Sequence, residues 1–396
     1  MKPYILRRLA KSALRPLVLF GSLGVALTSH AAPPASWQGP GVGAPGANPG
    51  ALNLLPGQLV GTCYSRVSNS TNSSDPEGFV LAAFDTRNAT AEGAVPGALW
   101  RTDSVDPANG PFYRYHGDTL RAKVLGEVFG ICVSRENSPD IWIAGTSAYQ
   151  GDASSWDASL VPNNTLPAAS TQLGRVYRID GTTGTPVDVV ALNNIPQVGA
   201  RPAELGNICW NTSQDGGEWV YVSNLNDGKI YRLEAQNLQG SQLTFDHGTD
   251  ARPNEGLAVV ADNPSAEFTT SDRLVWGLQV SPIDGRLYYS VWNGAGAASE
   301  IWSLELDAVT GNFLPATARL DITVPYTGSY RSPVASLQFS ADGSQLFAAE
   351  RGHRALGNDS AHSNRVLEWI YDSSGPSWNL VPEITPAPTF KYHMGS

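Results

Sequence analysis

Apolar and polar residues alternate through most of this chain in short runs with a period of two, and the runs recur in a fixed order. That period marks β-strands with one buried face, and no long amphipathic helical pattern competes with it. The first run of each set carries the same phrase: Leu59-Val-Gly-Thr-Cys63-Tyr-Ser, Val128-Phe-Gly-Ile-Cys132-Val-Ser, Leu205-Gly-Asn-Ile-Cys209-Trp-Asn, Val275-Trp-Gly-Leu-Gln279-Val-Ser and Val334-Ala-Ser-Leu-Gln338-Phe-Ser. The central residues of successive phrases lie 59 to 77 positions apart. Each set is therefore one supersecondary unit that must stack on its neighbours to bury its faces.

After each of the last four phrases comes a turn and a second β-type run: Asp140-Ile-Trp-Ile-Ala144, Glu218-Trp-Val-Tyr-Val-Ser223, Arg286-Leu-Tyr-Tyr-Ser-Val291 and Gln345-Leu-Phe-Ala-Ala-Glu350. Three of those turns hold Asp215-Gly216, Asp284-Gly285 and Asp342-Gly343, a hairpin signal because Gly takes positive φ without steric cost. Third runs follow as Gly174-Arg-Val-Tyr-Arg-Ile-Asp180, Lys229-Ile-Tyr-Arg-Leu-Glu234, Glu300-Ile-Trp-Ser-Leu-Glu305 and Asn364-Arg-Val-Leu-Glu-Trp369. Weaker fourth runs cover 185–192, 242–246, 318–324 and 378–384. Four antiparallel strands per unit, with a glycine or small residue opening the innermost one, predict an all-β β-propeller. Five innermost strands are visible and imply five to seven blades. Thr389-Phe-Lys-Tyr-His-Met-Gly395 reads as an approach to a sixth, so the ring either closes at five or the chain is a truncated piece.

The domains expected are a leader over 1–32, a Pro/Gly-rich arm over 33–56 and the propeller over 57–396. Lys2, Arg7, Arg8, Lys11 and Arg15 precede an apolar run that ends before Ser29-His30-Ala31, the pattern of a secretory signal peptide. That run is shorter than the roughly 20 residues a bilayer span needs, so the chain is expected to be exported, to the periplasm or beyond, and not membrane-spanning. The formal net charge is −10 at pH 7, and the leader holds only cations, so the exported part is more acidic still. Nucleic acid is excluded as a partner on that balance. With 40 Gly, 28 Pro and 11 Trp and 16% charged residues, the composition is that of secreted β structure rich in turns, expected as a monomer. Cys63, Cys132 and Cys209 occupy the same place in three repeats. A disulfide needs Cα atoms within roughly 7 Å, whereas stacked sheets lie about 10 Å apart. Three buried thiols are expected, with one bridge and one free thiol as the alternative.

The run from Leu205-Gly-Asn-Ile-Cys209 through Glu218-Trp-Val-Tyr-Val-Ser223 to Lys229-Ile-Tyr-Arg-Leu-Glu234 resembles the propeller-like regions of large bacterial surface proteins that also carry Cna-B-type modules. Gly174-Arg-Val-Tyr-Arg-Ile-Asp180 looks like the same family's preceding blade. The resemblance spans about 57–350 and implies a bacterial surface location without a catalytic set. No Cna-B-type module accompanies it here. Blade grammar is also similar to that of six-bladed propellers of the gluconolactonase and NHL-repeat kind.

Chemistry belongs on the loops that enter the innermost strands and join second to third strands, since these share one face of a propeller. The loop 145–173 brings Trp156 and Asp157. The segment 292–299 brings Trp292 and Asn293, and 351–363 brings His353, Arg354, Asp359 and His362. Trp156 and Trp292 are candidate flat platforms, with the polar residues orienting a glycan, peptide or protein ligand; the bland alternative is a solvated loop. Glu350-Arg351 reads as an ion pair. A lactonase-like hydrolase would need a divalent ion such as Ca²⁺ on the axis, and Glu127, Glu204 and Asn207 are the candidate ligands. Gly61, Gly130, Gly277 and Ser336, which share the place of Asn207, make a poor cage, so no cofactor is expected on the leading reading. No GxSxG or HExxH motif is present.

Overall fold

Tight turns fold the chain back on itself wherever Asp-Gly was read. Gly216, Gly285 and Gly343 take φ of 85°, 68° and 73°, and the preceding Asp side chains accept turn hydrogen bonds from the Gly217, Arg286 and Ser344 amides. The computed structural model describes residues 58–62, 80–85, 120, 122–126, 128–134, 140–146, 174–192, 205–225, 228–247, 274–292, 298–325, 333–350, 365–375 and 377–381. The leader and the arm lie outside these residues.

The first sheet pairs β1 (Gln58–Thr62) with β2 (Leu81–Asp85). The second runs β3 (Val128–Val133), β4 (Ile141–Gly145), β5 (Arg175–Ile179) and β6 (Pro186–Ala191). The third holds β7 (Leu205–Thr212), β8 (Glu218–Asn224), β9 (Lys229–Glu234) and β10 (Leu243–Asp246). The fourth holds β11 (Leu274–Val280), β12 (Leu287–Trp292), β13 (Glu300–Leu306) and β14 (Phe313–Thr323). The fifth holds β15 (Val334–Phe339), β16 (Gln345–Glu350), β17 (Val366–Asp372) and β18 (Ser377–Leu380). Strands in every sheet are antiparallel and consecutive. The one helix among the described residues, α1 (Ala122–Leu125), has four residues.

The first strands gather side by side: β7 lies between β3 and β11, and β11 between β7 and β15. Asn207 of β7 also reaches β15, donating from Nδ2 to Ala335 O at 3.4 Å and Ser336 Oγ at 3.3 Å. Consecutive antiparallel sheets whose first strands converge on one axis make this a β-propeller. The fold expected from the repeats is therefore observed, with corrections at the margins. The first sheet has a second strand, β2, that the pattern did not mark, and β14 begins at Phe313, earlier than the weak run implied.

The repeated phrase has a structural cause. In each four-stranded sheet the pairing of first and second strands slips at the same place, between Val128 and Gly130, Leu205 and Ile208, Val275 and Leu278, and Val334 and Ser336. This bulge presses each first strand against the next. A Cβ on Gly130 would lie 2.9 Å from Asn207 Cα, and one on Gly277 3.1 Å from Ser336 N. These positions are small because backbone meets backbone there.

Hydroxyls stitch the same seam. Ser223 Oγ accepts from Asn207 N at 2.9 Å and donates to Trp276 O of the next sheet at 2.5 Å. Ser290 repeats this between Gly277 N (2.8 Å) and Val334 O (2.6 Å), and Thr62 Oγ1 donates to Phe129 O at 3.0 Å. Between sheets lie the apolar layers. Val60 and Leu81 of the first sheet pack with Ile131, Ile143 and Tyr177 of the second. Trp142 packs with Val220 and Tyr231, Tyr221 with Tyr289 and Trp302, and Tyr288 with Leu346 and Trp369. The aromatic tips also bond across: Trp142 Nε1 donates to Ala235 O (3.1 Å), Tyr221 Oη to Gly311 O (2.7 Å) and Trp378 Nε1 to Tyr288 Oη (3.3 Å). Cys132 and Cys209 are free thiols, Cys209 fully buried, as expected of repeats that hold equivalent places apart. Burial pushes both thiols up, away from the reactive thiolate; Cys63 lies outside the described residues.

Candidate functional site

The two ends of the propeller differ in what their side chains do. At one end lie the turns between first and second and between third and fourth strands, and their carboxylates are consumed locally. Hydrogen bonds from the Thr183 amide lower Asp180, and the Ser213 hydroxyl lowers Asp215. Those from Thr310 and Ser374 lower Asp307 and Asp372, and the Ser340 and Ser344 hydroxyls hold Asp342 at about 2. This turn face is a structural rim.

The opposite end, the loop face, receives the connections from second to third strands. On its axis sits an apolar floor of Phe129, Leu225, Trp276, Trp292 and Ala335, none more than 2% exposed. Phe129 and Trp276 meet edge to face at 6.1 Å. Trp292, read from the sequence as an exposed platform, is instead part of this floor. It is the last residue of β12, and convergence of the strands draws it onto the axis. Asn207, the candidate axial ligand, lies directly beneath. Its Oδ1 accepts from Ile208 N at 2.8 Å while Nδ2 bonds to β15, so the amide serves the wall. Ala335 joins the two, contributing its side chain to the floor and its carbonyl to Asn207.

Glu350 is paired with Arg365: Nε meets Oε2 at 2.5 Å and Nη2 meets Oε1 at 2.7 Å, with Nη2 also donating to Pro325 O at 3.0 Å; Arg351 lies outside the described residues. Glu350 N donates to Arg365 O at 2.8 Å as well. Sheet pairing explains this, because Glu350 ends β16 and Arg365 stands just before β17, across the base of the same loop. A bidentate pair with a carboxylate that is 6% exposed fixes both ends of that loop.

The sequence reading missed His247, which follows the weak strand β10 and is fully buried. Its Nδ1 shares a hydrogen bond with Tyr289 Oη at 3.0 Å, and its ring stands edge-on to Trp302 at 4.8 Å. Trp302 Nε1 in turn donates to Glu300 Oε2 at 2.8 Å. The signal available was position alone, a polar aromatic closing a fourth strand where the chain returns to the axis. Trp156, Asp157, Asn293, His353, Arg354, Asp359 and His362 lie outside the described residues, as do Glu127 and Glu204. Among the described residues no three His, Cys, Asp or Glu side chains gather as a metal site. No helix among them is long and apolar enough to cross a membrane.

No protein-family model matches this sequence, and no curated protein matches it. Solved structures similar in shape are propeller enzymes. An α-L-arabinofuranosidase from Lactobacillus brevis is 12% identical with a TM-score of 0.40, covering 84% of this chain and 93% of its own. A GH43 β-1,3-galactosidase bound to galactodeoxynojirimycin is 8% identical with a TM-score of 0.41, covering 82% and 91%. For a putative 6-phosphogluconolactonase from Bacteroides uniformis the identity is 11%, the TM-score 0.37 and the coverage 78% of this chain, which spans 66% of that one, just under two thirds. At such identities the likeness concerns fold alone, and the assignment as a propeller rests on this chain's own sheets.

Proposed function

We propose that this chain is an exported β-propeller that captures a glycan, peptide or protein ligand through its loop face, without catalysis, in the manner of the bacterial surface proteins it resembles. The observation that supports this most is the Glu350–Arg365 clamp. It holds the base of the loop carrying His353, Arg354, Asp359 and His362 with a buried bidentate pair, the rigid support a recognition loop requires. The connection between β4 and β5, which carries Trp156 and Asp157, leaves from the same face. An aromatic platform beside polar orienting groups is the usual means of holding a sugar ring or an extended peptide. Asn207, already committed to the wall, also favours a binding module over a channel hydrolase.

The test pairs a glycan and peptide array with calcium titration calorimetry on the exported chain. Binding to one ligand class, lost in Trp156→Ala and His353→Ala and accompanied by no calcium heat, is the expected result. Tight calcium binding abolished by Glu204→Gln would replace this reading with a metal-dependent hydrolase of the lactonase class.

A further inference from the structure

One side chain at the turn face is not consumed locally. Arg232 of β9 is 4% exposed, in the interface between the third and fourth sheets. A guanidinium is always charged, and it is rarely so buried without a carboxylate beside it. Its register row runs Cys209, Tyr221, Arg232 and Leu243. The same row of the second sheet runs Cys132, Trp142 and Arg178, so Arg178 and Arg232 hold one place in successive sheets. Each reaches the turn between third and fourth strands of the next sheet. Arg178 Nη1 donates to Gln236 Oε1 at 2.8 Å, and Arg232 Nη1 donates to Thr310 O.

The two charges are answered differently. Arg178 has Asp140, with Nη1 meeting Oδ2 at 3.0 Å. Asp140 stands two residues before Trp142, and the residue two before Tyr221 is Trp219; alternation along a strand puts both on the arginine's face. Trp219 supplies a ring in place of a carboxylate, with Arg232 Cζ 3.9 Å from its centroid. Nε is buried without a hydrogen-bond partner in both arginines, but Arg232 also lacks an anion: among the described residues no Asp or Glu pairs with it. The carboxylates of the surrounding strands and turn are held elsewhere. Glu234 Oε1 accepts from Ser241 N at 3.4 Å and Ser241 Oγ at 2.8 Å. Asp307 Oδ1 accepts from Thr310 N and Oγ1, each at 2.8 Å, and Glu218 Oε2 from Gln236 Nε2 at 2.5 Å. The rim beside the guanidinium is open, since Leu243, opposite Arg232 on the outermost strand, is 37% exposed.

We propose that Arg232 is an anion site that takes a single carboxylate from outside the chain, in the place that Asp140 fills for Arg178. The second sheet shows the ligand chemistry that suits this position, a planar monoanion bound at the edge of a guanidinium. Trp219 covers one flat face of the group, so the anion approaches in its plane, from the rim. Glu234, two residues along on the same face of β9, repels a second negative charge and disfavours a phosphate dianion. The site lies at the end of the propeller opposite the loop face, so it does not depend on the ligand capture proposed there.

Acetate, exchanged for chloride at constant ionic strength, is the probe, read by nitrogen–proton NMR of the arginine Nε–H groups in the exported chain. The Arg232 resonance is identified by its absence from Arg232→Gln, or from Arg232→Lys if the first variant does not fold. It should move saturably with acetate while the Arg178 resonance stays in place, and the rise of the melting midpoint with acetate should vanish in the variant. Trp219→Asp returns a carboxylate to the place Asp140 holds and should weaken acetate binding at least about tenfold, whereas Trp219→Phe should keep it. Glucuronate and an acetyl-aspartyl amide, titrated in the same way, distinguish a sugar acid from a peptide side chain as the source of the carboxylate. An Arg232 resonance that acetate leaves unmoved would overturn the proposal, as would a shift shared equally with Arg178. Acetate binding that appears in Glu234→Gln and not in the parent chain would assign the anion to Glu234 and overturn it as well.

Discussion

The third and fifth sheets follow one pattern, yet one is sealed on both faces and the other on one. In the third, Tyr221 and Ile230 are fully buried against β11–β14. In the fifth, Phe347 and Val366 occupy the same register positions and stand half-buried and exposed. Strand sequence therefore sets which face is apolar, and ring position sets whether that face is covered. A repeat unit in a propeller is half an interface. It is specified by its own residues and completed by another unit's, as in other stacked repeats.

Truncating the interior aromatic should separate a sealed sheet, such as the second, from the fifth most. Trp142→Ala removes a fully buried indole and its bond to Ala235 and should cost about 3–5 kcal/mol, whereas Phe347→Ala costs less by the fraction of the ring that is uncovered. Denaturant melts of both variants measure the difference, and equal losses would mean the fifth sheet is as enclosed as the second. Arg365→Met strands the Glu350 carboxylate in a buried site and should cost about 2–4 kcal/mol. It should also weaken ligand capture by the 351–364 loop more than Trp142→Ala does at matched stability, and equal weakening would deny the clamp its role. Ser223→Ala leaves the Trp276 carbonyl and Asn207 amide short of a partner and should lose about 1–3 kcal/mol. The fifth sheet has Ala349 at that place, where Ala349→Ser should change the melting midpoint little.

Acid titration gives the smallest effect. Asp342, held at about 2 by the Ser340 and Ser344 hydroxyls against an ordinary 3.8, stabilises the fold fully above the ordinary value. That contribution fades as pH falls toward 2. Asp321 has the opposite sign. Burial raises it above 3.8, with the Ser303 hydroxyl and Arg319 opposing, so its ionisation opposes folding and stability is lost as pH rises through the raised value. Asp342→Asn should flatten the acid limb, and Asp321→Asn should raise stability above the ordinary carboxylate range. A pH series of melting temperatures checks both.

Much of the fold was legible because period-two runs, Asp-Gly turns and the repeated phrase each report a local requirement. The first sheet's β2 was not, since Leu81-Ala-Ala-Phe-Asp85 is weakly β-forming and a long polar stretch of sequence separates it from β1. The candidate site was harder to read. Sequence proximity pointed to Arg351 for Glu350 and gave no sign of Arg365, which a hairpin brings across. Trp292 looked like a loop platform because a strand end and a loop start share one residue, and only the convergence of five strands decides that it faces the axis. His247 carried no motif, since its partners Tyr289 and Trp302 come from another sheet.

The stitching hydroxyls of Ser223 and Ser290 also bear on how this molecule comes apart. Each binds an amide of its own sheet and a carbonyl of the next, so peeling away one sheet leaves orphaned backbone groups in the sheet that remains. Solenoids can fray from an end, one repeat at a time. Here loss of any interior sheet raises the free energy of its neighbours, and the third to fifth sheets are tied into a single melting unit whose protease resistance vanishes all at once.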